Sequence, residues 1–462
     1  HCQLSHGGTR FLDSQRTRKV LVKLNLEVLR QILPDAEYFG LGGDEVFERF
    51  NIAHLKQFEH QEFRGYTLYF CVYEDNPDQE GWYKTPFDRS ANIPRVNADR
   101  EIVFMIDRRV FQEQLVGCKY IRVVNIFRAI DALRQFVLEQ VNPRVVGVTG
   151  SVGKTTCAAL IQDVVSKKFG CGRIYSKRLT PLTLSSWLVN FLDSAHEVLA
   201  LEYSMYRRNH IDVLTDMLKP DVGIFLNVRR MHLGVEGINS LPDIIAGKEA
   251  LIRKSQTALL NLDEPLILEL RRKSDLGFSQ INPKADAFIT DQGDRVKLVL
   301  NHIGQTVYFR PYVRTSLLYY QACAAGLVGS ILGIPSESIA EALENFTPAE
   351  HRITWVDVSG EQVLFDGDVT NSARMALLSD HHYLNSILLI HSFDFGDENV
   401  DLQAADFSSV FAKFDEVRVL ESEENRTVVS KYSLKNLLFV RKDRFFSGIS
   451  DYQFKVLHFG IY

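Results

Sequence analysis

The chain has 462 residues, which is too long for one ordinary hydrophobic core, so we expect roughly two to four domains. Its 45% hydrophobic and 24% charged residues are typical of a globular protein, and a formal net charge of -5 argues against nucleic-acid binding through bulk charge. The six cysteines form no CxxC pair or Cys/His metal spacing, and neither a membrane-spanning run nor a signal-peptide h-region is visible. These features predict a cytoplasmic protein with reduced thiols and no nucleic-acid or membrane partner.

The first 143 residues have the pattern of an α/β unit. Apolar spacing predicts helices at residues 26–33 and 126–141, and runs rich in β-forming residues predict strands at 66–72, 101–106 and 120–124. The Asn142–Pro143 pair ends this unit.

The sequence VVGVTGSVGKTT at residues 145–156 predicts a strand, a glycine-rich turn and the start of a helix. Glycines allow backbone N–H groups to surround phosphate oxygens, and a helix N-terminus adds partial positive charge. Lys154 would reach the outer phosphates, and the Thr155 hydroxyl would ligate magnesium. The stretch therefore predicts a phosphate-binding loop, the alternative being a chance turn before a helix.

Strands and helices alternate after this loop. Short apolar runs predict strands at residues 197–203, 221–228 and 257–263, and helical spacing predicts helices at 241–253 and 317–332. Alternation of this kind indicates a mostly parallel sheet with helices on both faces. Ligands of such sheets bind beyond the carboxyl ends of the strands, where Gly150, Glu202 and Asn227 fall.

A third unit is predicted from residue 348 to residue 462, with strands at 352–358, 362–366, 386–391, 416–420 and 454–459. The expected fold class is therefore α/β, with a central sheet that carries the phosphate loop, an α/β domain before it and a Rossmann-like domain after it.

Four polar residues near predicted strands and helices are candidates for chemistry. Glu202 ends a strand and is suited to hold magnesium beside Thr155. His232 follows a strand by four residues, Lys248 lies in a predicted helix, and Asp366 closes a strand. Each also has an ordinary structural interpretation: a solvated strand end, a turn residue, a surface lysine and a turn-initiating aspartate, respectively.

The order of motifs along the chain resembles that of the Mur ligase family, most closely its MurF-type members. The motifs are GVTGSVGKTT at 147–156, Glu202, NVRRMHL at 227–233, IIAGKEALI at 244–252, LNLDEP at 260–265, His351–Arg352 and DGDVTN at 366–371. The resemblance implies three domains, at 1–143, 144–347 and 348–462, the last being short. It also implies ATP-dependent amide-bond formation, in which a substrate carboxylate is activated as an acyl phosphate and attacked by an amino group.

The resemblance also implies the site, residue by residue. The ATP-binding set would be Gly150, Ser151, Val152, Gly153, Lys154, Thr155, Thr156, Gln321, Arg352 and Asp366. Thr155 and Glu202 would hold one Mg²⁺, and His232 would hold a second, assisted by Lys248 as a carbamate. The implied catalytic residues are Lys154, Lys248 and His232. The implied substrates are a small-molecule carboxylate and an amino acid or peptide, and the protein is expected to be a monomer.

The chain departs from the family pattern at positions that would face the adenine or the substrate. Family members carry a His-Asn-x-x-Asn box where residues 317–321 read LLYYQ, so only Gln321 keeps an amide. Asp368 stands where some relatives have lysine, and Arg207, Arg208 and His210 replace small and acidic residues. Because the phosphate and metal positions are kept, these changes predict a ligase adapted to another substrate.

Two other functions compete with this hypothesis. A non-catalytic Mur-like protein that binds a nucleotide or a partner is favoured by the lost asparagines and the short third domain. Joint retention of Lys154, Glu202, His232, Lys248, Arg352 and Asp366 favours the ligase. A P-loop kinase or GTPase is disfavoured, because the guanine motif Asn-Lys-x-Asp is absent from the sequence.

Overall fold

The computed structural model describes residues 24–43, 45–53, 65–73, 88–96, 101–107, 109–110, 112–174, 179–234, 237–348, 353–367, 369–379, 385–396 and 400–460. These residues form three sheets, each built from one continuous stretch of the chain. The predicted α/β fold class, with mostly parallel strands and three sheet-forming units, is confirmed. The exact domain boundaries at 143/144 and 347/348 stay predictions.

The first sheet has five strands in the order β1-β5-β4-β3-β2. Its elements are α1 (Leu26–Ile32), β1 (Glu37–Phe39), β2 (Phe47–Asn51), β3 (Tyr66–Phe70), α2 (Ile93–Val96), β4 (Ile102–Ile106), β5 (Lys119–Arg122) and α3 (Ile126–Val141). Only β1 is antiparallel to its neighbour within this sheet. Asn190, in the central unit, bonds to this sheet: its amide accepts the N–H of Phe50 at 2.8 Å and donates to the Phe50 carbonyl at 2.9 Å. The side chain thus imitates a strand partner and joins the two units.

The central sheet has nine strands in the order β14-β13-β12-β11-β10-β9-β6-β8-β7. Its elements are β6 (Arg144–Thr149), α4 (Lys154–Val165), β7 (Cys171–Gly172), α5 (Pro181–Phe191), β8 (Val198–Glu202), α6 (His210–Met217), β9 (Val222–Phe225), α7 (Leu241–Lys254), β10 (Thr257–Asn261), α8 (Pro265–Leu268), β11 (Leu276–Ser279), β12 (Ala287–Asp291), β13 (Val296–Leu300), β14 (Gln305–Phe309), α9 (Ser316–Ile331) and α10 (Ser336–Glu344). The seven strands β6 to β12 are parallel to one another, and β13 and β14 add an antiparallel extension at the β12 edge.

Both faces of the central sheet are buried, as alternation along β8 shows. Val198 and Ala200 pack in the core that contains α4 and α9, whereas Leu199 and Leu201 pack in the core on the opposite face, with α5 and α7. Because β6 lies between β8 and β9, the chain reverses its direction of progress across the sheet at β6. A crevice forms at the carboxyl ends of strands at such a switch point, and this positions the site.

The third sheet has six strands in the order β15-β16-β20-β17-β18-β19. Its elements are β15 (Thr354–Val358), β16 (Glu361–Asp366), α11 (Ser372–Ser379), β17 (Ser386–Ser392), α12 (Val400–Phe411), β18 (Glu416–Leu420), α13 (Glu423–Lys431), β19 (Leu438–Val440) and β20 (Phe454–Phe459). Apart from the β15–β16 hairpin, its strands are parallel. Across the described parts of the chain, no helix combines the length and apolar character that crossing a bilayer requires.

Candidate active site

The glycine-rich turn joins β6 to α4, as the sequence predicts. Gly153 is the residue before α4 and has φ +86°, in the left-handed region that glycine adopts without strain. A Cβ at this position would lie 2.6 Å from Nε2 of Gln321 and 2.7 Å from Cδ1 of Leu317. The turn therefore requires glycine for its backbone angle and for the close approach of α9.

Asn227, just beyond β9, fixes the shape of this turn. Its Oδ1 accepts the N–H groups of Ser151 at 3.1 Å and Val152 at 3.0 Å, and its Nδ2 donates to the Val152 carbonyl at 3.0 Å. The side chain is buried, so these bonds do not compete with water. Sequence reasoning placed Asn227 at this edge of the sheet without giving it a role. The sequence signal for such a role is that Asn227 directly follows β9, the strand that pairs with β6.

Two lysines from different helices converge on the turn. Nζ of Lys154 donates to the carbonyl oxygens of Gly150 at 3.0 Å and Ser151 at 3.1 Å. Nζ of Lys248, on α7, donates to the same Gly150 carbonyl at 3.0 Å. Lys248 is only 3% exposed, although the sequence also allowed a surface lysine. The structure therefore brings together two of the three predicted catalytic residues.

Glu202 lies at the end of β8 beside the first turn of α4. Its Oε2 accepts the Thr155 hydroxyl at 2.6 Å, and its Oε1 accepts the Ser204 hydroxyl at 3.0 Å. Thr156 follows on α4 and is half-buried. Carboxylate and hydroxyl oxygens are the ligands that Mg²⁺ prefers, so the pair formed by Thr155 and Glu202 fits one magnesium ion.

His232 lies in the loop after β9, at φ +55°, and is half-buried. Its ring centroid is 6.2 Å from that of Tyr206, in the loop after β8. The preceding residue, Met231, packs with Val152 of the phosphate loop and with Leu317. His232 is thus connected to the loop through its neighbours. Among the described residues, no group of three or more His, Cys, Asp and Glu side chains is arranged to hold a metal ion.

Gln321 and Ser151 attach the turn to its surroundings. Gln321, on α9, is buried, and its Nε2 donates to the Gly153 carbonyl at 2.8 Å. The Gln321 amide, for which the sequence resemblance predicts a place in the adenine site, thus contacts the glycine-rich turn itself. The Ser151 hydroxyl accepts the Arg229 N–H at 2.8 Å, and the Arg229 guanidinium pairs with Glu264 at 2.6 Å. Burial raises the pKa of Glu264 above its ordinary value, and Arg229 acts against this shift.

Asp366, at the end of β16, is buried within a polar network of the third unit. Its Oδ2 pairs with Arg374 at 2.8 Å and with Nδ1 of His458 at 3.2 Å, and Nε2 of His458 lies 2.9 Å from the Thr370 hydroxyl. Burial alone would raise the pKa of Asp366, but Arg374 and His458 hold it below its ordinary value.

The segment after this network reaches the central unit. Nδ2 of Asn371 lies 3.5 Å from Sδ of Met231, and Ala373 packs on the cluster formed by Val152, Met231 and Leu317. The network around Asp366 therefore adjoins a segment that packs on the cluster to which Val152 of the phosphate loop belongs. Two predicted positions of this unit, Arg352 and Asp368, lie outside the described residues.

Comparison with known proteins finds a family match within the central unit. Residues 148–306 match the family model of the Mur ligase middle domain. A UDP-N-acetylmuramoylalanine–D-glutamate ligase of Pseudothermotoga lettingae is 26% identical over 354 residues, which cover 74% of each chain. A UDP-N-acetylmuramoyl-tripeptide–D-alanyl-D-alanine ligase of Synechocystis sp. is 32% identical over 131 residues, or 28% of each chain. The corresponding ligase of Haemophilus influenzae is 24% identical over 265 residues, which span 56% of that ligase and 54% of this chain.

Solved structures extend the similarity of fold to nearly the whole chain. MurF from Acinetobacter baumannii superposes with a TM-score of 0.74 at 16% identity and covers 95% of this chain and 96% of its own. MurF ligase from Thermotoga maritima, solved in complex with ADP, gives a TM-score of 0.67 at 18% identity and covers 89% of this chain and 93% of its own. At this level of identity the likeness concerns the fold.

Proposed function

We propose that this protein, a divergent member of the Mur ligase family with the fold of MurF ligases, joins a carboxylate to an amine at the expense of ATP. One observation carries the proposal: the Lys154 and Lys248 amines meet at the Gly150 carbonyl, beside the pair formed by Thr155 and Glu202. A phosphate-binding loop by itself requires only Lys154. The second lysine, brought from α7, is what a nucleotide-dependent ligase of this family would use.

The proposed reaction has two steps. An oxygen of the substrate carboxylate attacks the γ-phosphorus of ATP, the bond to the bridging oxygen breaks, and ADP leaves. The amine nitrogen then attacks the carbonyl carbon of the acyl phosphate, inorganic phosphate leaves with the bonding electron pair, and the amine loses a proton. Lys154 and the N–H groups of Gly150 to Thr155 neutralise charge on the transferred phosphoryl group, which is the main requirement of phosphoryl transfer.

The pair formed by Thr155 and Glu202 supports one of the two proposed cations. Thr155 and Glu202 supply oxygen ligands for one Mg²⁺, and His232 with Lys248 would hold a second only if Lys248 is a carbamate, because an ammonium group is not a ligand. Bound Mg²⁺ would neutralise phosphate charge. Incubation with ¹³C-bicarbonate should give a carbamate ¹³C resonance in the wild type that is missing from Lys248→Met.

The third unit is proposed to complete the nucleotide site. Arg352 would reach the ATP phosphates when this unit closes, which would also keep water from the acyl phosphate. For Asp366, burial and pairing with Arg374 support a positioning role, because the next segment of the chain, up to Ala373, packs on the cluster that contains Val152.

The decisive experiment is ADP release with panels of amines and carboxylates. Amine-dependent ADP formation should disappear in Lys154→Ala and in Lys248→Ala, and Mg²⁺ dependence should weaken in Glu202→Gln. Lys168→Ala is the matched control, because Nζ of Lys168 also donates to a glycine carbonyl, that of Gly333 at 2.9 Å, at the far end of α4. Glu197→Gln, which alters an exposed carboxylate just before β8, is the control for Glu202.

The competing hypothesis, a non-catalytic Mur-like nucleotide- or partner-binding protein, predicts a different result. ATP would bind tightly and Lys154→Ala would weaken that binding, but no combination of amine and carboxylate would release ADP. This outcome would overturn the ligase proposal.

A further inference from the structure

Arg229 is anchored beside the phosphate loop through its own backbone. The Ser151 hydroxyl accepts the N–H of Arg229 at 2.8 Å and donates to the Arg229 carbonyl at 3.2 Å. Ser151 is buried, so these two bonds are protected from water and fix the backbone of Arg229 next to the loop. The long side chain of Arg229 therefore starts at the phosphate loop, whatever direction it takes.

The protein uses only part of the Arg229 guanidinium. Its Nη1 pairs with Oε1 of Glu264 at 2.6 Å and donates to the Val228 carbonyl at 2.7 Å. Its Nε and Nη2 donate to none of the residues that the structure describes. The side chain is 30% exposed, so solvent reaches it. Because a guanidinium carries five N–H donors, Arg229 keeps donors for a further acceptor.

One carboxylate, that of Glu264, opposes the charge of Arg229. Glu264 follows β10, and its side chain is 14% exposed. Burial raises the pKa of Glu264, and Arg229 acts against that shift. The neighbouring Asp263 has partners of its own, because its Oδ2 accepts the N–H of Gln280 at 2.7 Å and the hydroxyl of Tyr320 at 3.1 Å. An anion that draws Arg229 away therefore competes with Glu264.

The part of the phosphate loop next to Arg229 has already committed its backbone donors. The N–H groups of Ser151 and Val152 both donate to Oδ1 of Asn227. Each residue has a single backbone N–H, so an N–H that is shared with Asn227 contributes less to binding a phosphate. A cation anchored at Ser151 would supply positive charge at the place where the loop offers least of it.

We propose that Arg229 binds the phosphates of the nucleotide on the Ser151 side of the loop, and that Glu264 competes with those phosphates for the guanidinium. A di- or triphosphate carries more negative charge than one carboxylate, and its oxygens suit the planar guanidinium. Without nucleotide, Glu264 neutralises Arg229; with nucleotide bound, the Glu264 charge opposes binding. The inference rests only on the nucleotide binding that the ligase proposal and its competing hypothesis share.

Two substitutions with opposite expected effects test the proposal by calorimetric titration of ADP in the presence of Mg²⁺. Arg229→Met should weaken ADP binding about tenfold, which is the worth of one charge-assisted bond, and Arg229→Lys, which keeps a cation, should weaken it less. Glu264→Gln keeps an oxygen acceptor for Arg229 but removes the competing charge, so it should strengthen ADP binding by roughly the same factor. Most of that gain should disappear when Glu264→Gln is combined with Arg229→Met.

Arg271→Met and Asp286→Asn are the matched controls. Nη2 of Arg271 pairs with Asp286 at 3.3 Å and donates to the Asp275 carbonyl at 3.3 Å, and the side chain is 36% exposed, an arrangement like that of Arg229. Arg271 precedes β11 and Asp286 precedes β12, so both lie at the amino edge of the central sheet, away from the phosphate loop. Both controls should leave ADP affinity unchanged, and urea unfolding compares the stability of all variants.

An ion pair with a structural role alone predicts a different pattern. Arg229→Met and Glu264→Gln would then both weaken ADP binding, or both leave it unchanged as the controls do, and either result would overturn the proposal.

Inorganic triphosphate separates a phosphate contact from a contact with the base or the ribose, because it has neither. Arg229→Met should weaken the binding of inorganic triphosphate and of ADP by a similar factor. A loss seen with ADP alone would place Arg229 at the nucleoside and overturn the proposal, as would a wild type that binds no ADP. If these responses are found but no pair of amine and carboxylate releases ADP, the ligase proposal fails and the role of Arg229 stands.

Discussion

Lys154 and Lys248 lie on different helices and donate to one acceptor, each with its Nζ atom 3.0 Å from the Gly150 carbonyl oxygen. Two ammonium groups this close repel each other, and the repulsion is relieved when an anion lies between them or when one amine becomes a carbamate. The proposed function therefore assigns this pair to phosphate chemistry more than to stability.

Lys248→Met should separate the contribution of Lys248 to activity from its contribution to stability. It removes the hydrogen bond from Lys248 to a carbonyl that keeps Lys154 as a donor, and the loss of that bond should lower the free energy of unfolding by about 1 kcal/mol. ADP formation should fall at least about 100-fold, as when a preorganised charge-stabilising group is lost. Urea unfolding and ADP release measure the two quantities. Activity within a few-fold of wild type would contradict the role given to Lys248, and Lys168→Met is the control.

Asn227→Ala should weaken both the fold and nucleotide binding. The variant loses three buried side-chain bonds to Ser151 and Val152, at about 1 kcal/mol each, and leaves the phosphate loop without its brace. Asn301→Ala is the control, because Asn301 also donates two amide bonds to backbone carbonyls, at the distant β12–β13 region. It should lower the melting temperature without changing ATP affinity, and equal ATP affinity in both variants would contradict the bracing role.

Gly153→Ala compared with Gly293→Ala separates backbone strain from a steric clash. Both glycines have positive φ, +86° and +91°, but a Cβ on Gly293 meets nothing within 4 Å, whereas one on Gly153 meets Gln321 and Leu317. Gly293→Ala should destabilise by about 1–2 kcal/mol. Gly153→Ala should destabilise more and should lose ATP binding, which calorimetry measures. Equal losses of stability in the two variants would show that Gln321 and Leu317 of α9 can move aside at little cost, and would contradict the predicted clash.

Asp366→Asn should make the free energy of unfolding vary less with pH in the acidic range. Arg374 and His458 hold the pKa of Asp366 below its ordinary 3.8 against the effect of burial. A lowered pKa stabilises the fold above the ordinary pKa, and this stabilisation disappears as the pH falls through the folded-state value. At pH 7 the variant should lose about 3–5 kcal/mol, because Arg374 keeps its buried charge without the carboxylate.

The difference between wild type and Asp366→Asn should shrink below about pH 4, as the wild-type carboxyl becomes protonated. Urea unfolding at pH 7 and pH 3 measures it. Asp357→Asn, which alters an exposed carboxylate on β15 of the same sheet, should show a small effect at both pH values. A constant difference between pH 7 and pH 3 would contradict the assignment.

Local patterns in the sequence predicted the elements that carry the site. The helix predicted at residues 126–141 is observed as Ile126–Val141, and the strand at 416–420 as Glu416–Leu420. The strand predicted at 221–228 is observed only as Val222–Phe225. It ends early because Asn227 turns its backbone and its side chain toward Ser151. A run of apolar residues cannot reveal this, since the partner lies 76 residues away.

The sequence by itself determined the phosphate loop and the strand-end position of Glu202, because a strand, a glycine turn and a helix start are specified by adjacent residues. Only the tertiary structure decided that Lys248 is buried on the Gly150 carbonyl 98 residues away, that Gln321 contacts the loop, and that Asp366 faces Arg374. The physical reason is that such contacts depend on which faces of distant helices and strands pack together. Packing is a property of the whole fold, and spacing along the chain does not encode it locally.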